Sequence, residues 1–360
     1  MPNSKASLRH RAATALASLL LGACASPSEP REAGPRSFVY SPYKDITLAL
    51  TAQQPVIATA LHGDTTPIVR EGVLPRGVTA ITWAFASGEC GAETWDTIDA
   101  QAFADANVQS HVRAGLNYIV STGGEAASFS CGSDEGMERF IARYQSPNLV
   151  GIDFDIERGQ KADALDAIVL RILSAQRRHP HLRFSFTLAT FAASDGSRRS
   201  LNATGGLLMN AIKKHGLHGY FLNLMVMDYG DAKPENCVIK DVRNTARSTP
   251  AGGDEPPIRV CDMGQSALQA AENAHAIYAV PLDHIELTAM IGVNDVATNV
   301  FTLGDAATLA RYARERGLGG LHYWSLDRDR PCKTPITGAS SECSSLTDVP
   351  VLGFARAFAQ

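Results

Sequence analysis

The segment Gly151-Ile152-Asp153-Phe154-Asp155-Ile156-Glu157 is where the sequence gathers groups able to move protons. Along an extended strand successive side chains point to opposite faces, so Asp153, Asp155 and Glu157 share one face and Ile152, Phe154 and Ile156 the other. Three carboxyls brought together away from water are costly unless they share protons and hydrogen bonds. Like charges a few ångströms apart do not all ionise, so one member is expected to stay protonated near neutral pH. Such a set suits general acid and base work. A solvated strand face carrying acids, or a calcium loop, is the competing account; the alternation with Phe and Ile argues against a flexible loop, and the glycine-containing spacing of a calcium loop is missing.

Acids of this kind need a rigid frame. From residue 38 onward, short β-branched or aromatic runs alternate with longer helical stretches, the pattern of parallel strands joined by crossover helices. Eight runs are read, at 38–43, 78–87, 116–121, 149–156, 183–190, 220–229, 285–293 and 320–326. Helices are expected at 134–144, 161–178, 204–214, 266–278 and 305–316, with a closing helix after 349. Several runs are apolar at nearly every position, as strands buried on both faces should be. An open doubly wound sheet would look similar run by run; the count of eight favours an α/β fold of the (β/α)8 TIM-barrel kind, one catalytic domain over 38–360. The polar, Pro- and Gly-rich stretch 230–264 follows the sixth run and is expected to be a long loop walling the catalytic face.

Of 360 residues, 45% are apolar and 19% charged, which supports a packed core, and the formal net charge of −4 with no long basic run argues against nucleic acid as a partner. Lys5, Arg9 and Arg11 followed by the apolar run 16–23 read as an export signal too short to span a bilayer. It ends in Leu21-Gly22-Ala23-Cys24, which resembles a lipobox, so residues 1–24 are expected to be a signal segment with lipid attached at Cys24; simple secretion is the alternative. Residues 25–37, rich in Pro, Ser and charge, read as a linker. The expected location is therefore exported, as an outer-membrane or cell-surface lipoprotein or a secreted protein. The other six cysteines suit an oxidising compartment and allow fifteen pairings; joining sequence neighbours gives Cys90 with Cys131, Cys237 with Cys261, and Cys332 with Cys343. No metal is expected, since CxxC and HExxH are absent, and neither a phosphate-cradling loop nor a Gly-x-Ser-x-Gly elbow occurs. No cofactor is expected. Asn202-Ala203-Thr204 fits a glycosylation acceptor pattern, set aside because the lipobox points to a bacterial host.

The acidic segment resembles the DxDxE signature of glycoside hydrolase family 18, the chitinase family. The resemblance implies a retaining, substrate-assisted route that departs from the two-carboxylate scheme. Glu157 would protonate the glycosidic oxygen, Asp155 would orient the substrate's acetamido group for attack on the anomeric carbon, and Asp153 would support Asp155 through a shared proton. The family's outer acid, seven residues before the catalytic Glu, is here Val150. Ser121-Thr122-Gly123-Gly124 is similar to the family's SxGG element, although a Gly pair after a strand is also a plain turn. Met227-Asp228-Tyr229 resembles its MxY, which would aim the Tyr229 hydroxyl at the acetamido carbonyl beside Met227; core and strand-edge packing is the competing account. Trp324, near the end of the eighth run, matches the tryptophan the family places under the reacting sugar, against the alternative of a buried core indole. Asn294 and Asp295 would add polar contacts. The implied partner is chitin or another oligosaccharide containing N-acetylglucosamine, met by a monomer whose membrane contact is the lipid anchor alone. An endo-β-N-acetylglucosaminidase of glycoprotein or cell-wall glycans, and a chitin-binding lectin without activity, are the rival readings.

Overall fold

The computed structural model describes residues 38–50, 53, 55–157, 159–242 and 257–360; the expected signal segment, Cys24 and the 25–37 linker lie outside the described residues. Eight parallel strands close on themselves. The first, β1, comes in two pieces, Val39–Tyr40 and Tyr43–Asp45, and is followed by β2 (Ala80–Glu89), β3 (Asn117–Gly123), β4 (Leu149–Ile156), β5 (Arg183–Ala189), β6 (Phe221–Met225), β7 (Ile285–Met290) and β8 (Gly320–Trp324). Each pairs in parallel with its sequence neighbour, and β1 closes the ring because Val39 pairs with Gly320 of β8 while Tyr43 pairs with Thr82 of β2. The barrel expected from the eight runs is the fold.

The helices are α1 (Ala100–Ala114), α2 (Asp134–Tyr144), α3 (Ala162–Arg178), α4 (Ala203–His215), α5 (Met263–Tyr278), α6 (Leu303–Arg316) and α7 (Gly353–Phe358). Local sequence sets their ends. In α2 the Ser133 hydroxyl accepts from the Gly136 amide, and Met137, Phe140, Ile141 and Tyr144, at spacings of three and four, bury one face. Burying a large apolar side chain of this kind is worth about 1.5–3 kcal/mol. Thr302 and Asp305 form a reciprocal capping box on α6, which stops at Gly317 in the left-handed region. Between β1 and β2 there is no helix among the described residues; Ile57, Ile68 and Val73 of that connection join the core instead.

On β4 the outward residues Ile152, Phe154 and Ile156 are buried, with the Phe154 ring 6.0 Å from Phe129 and 5.9 Å from Phe186. The base of the interior is plugged by charge. Arg183 of β5 pairs with Glu286 of β7, whose other oxygen lies 3.5 Å from His322 Nε2. Burial opposes the Glu286 anion, but Arg183 and His322 outweigh it and hold the carboxyl down to about 2. Below the closing helix, Asp329 accepts from the Phe354 and Ala355 amides at 2.9 and 2.7 Å and fastens α7 to the end of β8.

All three neighbour pairings of cysteines are disulfides: Cys90–Cys131, Cys237–Cys261 and Cys332–Cys343. The second of them ties a hairpin. Within the stretch expected to be loop, Ile239–Val242 pairs antiparallel with Ile258–Cys261, and α5 starts at Met263.

Candidate active site

The register of the barrel decides what surrounds the acids. Asp153 of β4 lies opposite Ser121 of β3 and Ser185 of β5, and Asp155 lies opposite Thr187. Ser121 and Tyr43 donate to Asp153 Oδ2 at 2.6 and 2.9 Å, while Ser185 and Thr187 donate to Oδ1 at 2.7 and 2.8 Å. Behind them the Asn223 amide donates to the Tyr43 and Thr187 hydroxyls, and the Thr288 hydroxyl donates to Asn223 Oδ1. With Asn223 donating to Tyr43 and Thr187, those two hydroxyls turn their protons toward Asp153, and all four hydroxyl contacts favour its anion. Burial raises its carboxyl above the ordinary range, and the four hydroxyls offset only part of that rise.

Asp155 stands in the opposite situation. Burial first, then the charges of Glu157 and Asp153, push its carboxyl well above the ordinary range. Its Oδ1 is buried and has no hydrogen-bond partner among the described residues. Asp155 therefore keeps a proton, as coupled like charges require. The proton expected to bridge Asp153 and Asp155 is not in place: no hydrogen bond joins the two among the described residues, because hydroxyls occupy both oxygens of Asp153.

Asp155 and Glu157 open into a cavity of about 470 Å³ at the carboxyl ends of the strands. This is the end where barrel enzymes carry their sites. Phe85 and Trp324 stack at 5.6 Å between ring centres, with Tyr43 packed beside Trp324 at 6.3 Å, and the three give the cavity an aromatic side. Met225, Met227 and Met290 supply apolar lining; Glu125, Asp228 and Asp295 add carboxylates, and no lysine, arginine or histidine lines the space among the described residues.

Trp324, Met227 and Asp295 thus face the cavity with Asp155 and Glu157, and Asp153 sits just beneath. Tyr229 does not. Strand β6 stops at Met225 and Asp228 adopts φ 48°, so the alternation that would put residues 227 and 229 on one face is broken. The Tyr229 ring is 2% exposed and lines none of the cavity; its hydroxyl has no partner among the described residues, and burial pushes its pKa far up. Gly123 and Gly124 also lie off the cavity wall. Both have positive φ; a Cβ at Gly123 would stand 2.2 Å from the Asp155 carbonyl oxygen, and one at Gly124 would stand 2.7 Å from the Phe85 ring. They permit close packing behind the site and make no part of its surface. Asn294 is fully buried and braces its own loop, donating to the Met290 and Gly292 carbonyls while its Oδ1 accepts from the Asp228 amide. None of the described residues of the 230–264 stretch lines the cavity, and 243–256 lie outside the described residues. Those described pack on the loop after β5, where Ala192 donates to the Asn236 carbonyl, and on α5.

Tyr43, Phe85, Thr187, Ser185, Asn223 and Asp228 escaped the sequence reading. Ser185 and Thr187 did carry a signal, since they are alternate polar residues inside the otherwise apolar run Arg183–Ala189. Asn202, set aside as a glycosylation pattern, has its amide engaged: Nδ2 donates to the Glu157 carbonyl at 3.1 Å and Oδ1 accepts from Gly205 N at the start of α4.

No family model matches the chain. It is 26% identical over 343 residues to a probable bifunctional chitinase/lysozyme of Escherichia coli, covering 92% of this chain and 35% of that protein. It is 25% identical over 309 residues to Endochitinase 11 of Metarhizium anisopliae, covering 84% and 54% respectively. The chain thus spans only about a third to a half of the length of these curated relatives. Among solved structures, the catalytic domain of a hyperthermophilic chitinase from Pyrococcus furiosus superposes with a TM-score of 0.64 at 27% identity, covering 90% of this chain and 95% of that one. Catalytic-site mutants of active domain 2 of the thermostable chitinase from the same organism, complexed with chito-oligosaccharides, give 0.64 at 26% identity, covering 90% and 94%.

Proposed function

We propose that this chain, a chitinase-like protein of the glycoside hydrolase family 18 type, is a retaining endo-chitinase that cleaves β-1,4 links between N-acetylglucosamine units. The observation that carries the reading is one strand end delivering Asp155 and Glu157 to a single cavity, with Asp153 beneath them and Trp324 on its wall.

In this scheme Glu157 gives its proton to the glycosidic oxygen as the C–O bond breaks. The acetamido carbonyl oxygen of the same sugar attacks the anomeric carbon and forms a cyclic oxazolinium ion. Asp155, whose Oδ1 awaits a donor, accepts the acetamido N–H and holds the group in line, while the Asp153 anion beneath it steadies the positive charge of the ring. Glu157, now a carboxylate, takes a proton from water as that water opens the ring, so the anomeric configuration is retained. The Tyr229 hydroxyl takes no part, since it is buried off the cavity wall that Met227 reaches, and Tyr43 acts through its hydrogen bond to Asp153.

Glu157→Gln should fold normally and lose hydrolysis of chitin hexamer by at least 10²-fold, the usual worth of a general acid being about 10²–10⁴. Turnover near wild type would reject the assignment. Binding of the hexamer by wild-type protein with no cleavage at all would favour a lectin.

The description of the Escherichia coli relative as a chitinase/lysozyme supports a second reading, action on cell-wall glycan, whose sugars also carry 2-acetamido groups. Rates on chitin hexamer and on purified peptidoglycan separate the two. We further propose export, with lipid on Cys24. Incorporation of labelled palmitate that is lost in Cys24→Ser is the check.

A further inference from the structure

The Asn202 side chain joins two parts of the molecule that chemistry needs in register. Its Oδ1 accepts from the Gly205 amide at 2.8 Å and caps α4, and its Nδ2 donates to the Glu157 carbonyl at 3.1 Å. Its backbone is equally committed: the Asn202 amide donates to Ala189 at the end of β5, and the Asn202 carbonyl accepts from Gly206. All four polar groups of one residue thus tie the ends of β4 and β5 to the start of α4.

Glu157 needs such a brace. It is the first residue past β4, and two residues later Gly159 turns the chain with φ 83°. A general acid must meet the departing oxygen within hydrogen-bond reach, and displacement by 1 Å costs about 10²-fold in rate. Replacing the amide would take this donor from the Glu157 carbonyl and loosen its register with α4.

We propose that Asn202 is a positioning residue for the general acid, acting through the Glu157 backbone; the inference rests on the role of Glu157 given above. Serine at 202 separates its two duties, because serine caps a helix about as well as asparagine but has no amide to reach the Glu157 carbonyl. Asn202→Ala removes both.

Steady-state hydrolysis of chitin hexamer and thermal unfolding of the full chain are to be measured for wild type, Asn202→Ser, Asn202→Ala, Glu157→Gln and the double variant Asn202→Ser/Glu157→Gln. The expected result is a kcat about tenfold lower in both Asn202 variants with KM little changed, although only Asn202→Ala melts earlier. In the Glu157→Gln background, Asn202→Ser should cost nothing further, since a brace has no effect once the acid is gone. Wild-type kcat in Asn202→Ser, or a full second loss in the double variant, overturns the proposal, and the cycle decides even if serine also destabilises. Failure of the functional reading looks different: the wild-type chain itself would then leave the hexamer uncut.

Discussion

A Cβ built on Gly123 would stand 2.2 Å from the carbonyl oxygen of Asp155, which makes the strand beside the acids part of how they are held. Gly123 also sits at φ 88°, where any other residue is strained by about 1–3 kcal/mol. Gly123→Ala should therefore lower the melting temperature and, by pushing the Asp155 backbone, reduce hydrolysis by about 10²-fold. Differential scanning calorimetry with a chitin-hexamer assay checks both, and wild-type values in each would refute the account.

The Tyr229 hydroxyl is buried off the cavity with no partner among the described residues, and an unpaired buried hydroxyl costs about 1–3 kcal/mol. Tyr229→Phe should accordingly be neutral or more stable, with kcat within about twofold of wild type. A loss of 10²-fold would restore a donor role for this tyrosine.

Ser185 supplies one of two hydrogen bonds to Asp153 Oδ1. Ser185→Ala takes away a charge-assisted bond worth about 1.5–3 kcal/mol, so the Asp153 carboxyl should rise and compete with Asp155 for the proton. We expect kcat to fall by about tenfold with KM nearly constant, because the ring charge then forms over a weaker anion. An unchanged kcat would show that the remaining three hydroxyls suffice.

Stability should depend on pH through Asp329. Burial raises its carboxyl to about 6, against the Phe354 and Ala355 amides and the Tyr323 hydroxyl that hold it down. An unfolded aspartate titrates near ~3.9, so between about pH 4 and 6 the folded chain binds more protons than the unfolded one. Stability from this group is full below that window and falls by about 3 kcal/mol as pH rises through it, then levels off. The raised carboxyls of Asp153 and Asp155 act in the same direction. Melting temperatures from pH 4 to 7 should decline, less steeply in Asp329→Asn; a rise across the window contradicts the assignment.

What the sequence determined by itself was whatever follows from period and composition. Alternation along 149–156 put Asp153, Asp155 and Glu157 on one face, eight apolar runs and their intervening helices made the barrel, and the nearest cysteines proved to be partners. Each of these depends on residues close in the chain or on a repeating pattern, which one-dimensional reading captures. Tertiary structure alone decided the rest. Whether Tyr229 faces the cavity turned on the backbone angle of Asp228, and whether Gly123 and Gly124 touch substrate turned on how near β4 and Phe85 approach them. The hydroxyls that fix the Asp153 charge come from positions 32 to 110 residues away, and the brace on Glu157 from 45 residues away. Proton placement among coupled acids is set by such distant donors and by burial, quantities that exist only once the ring of strands has closed.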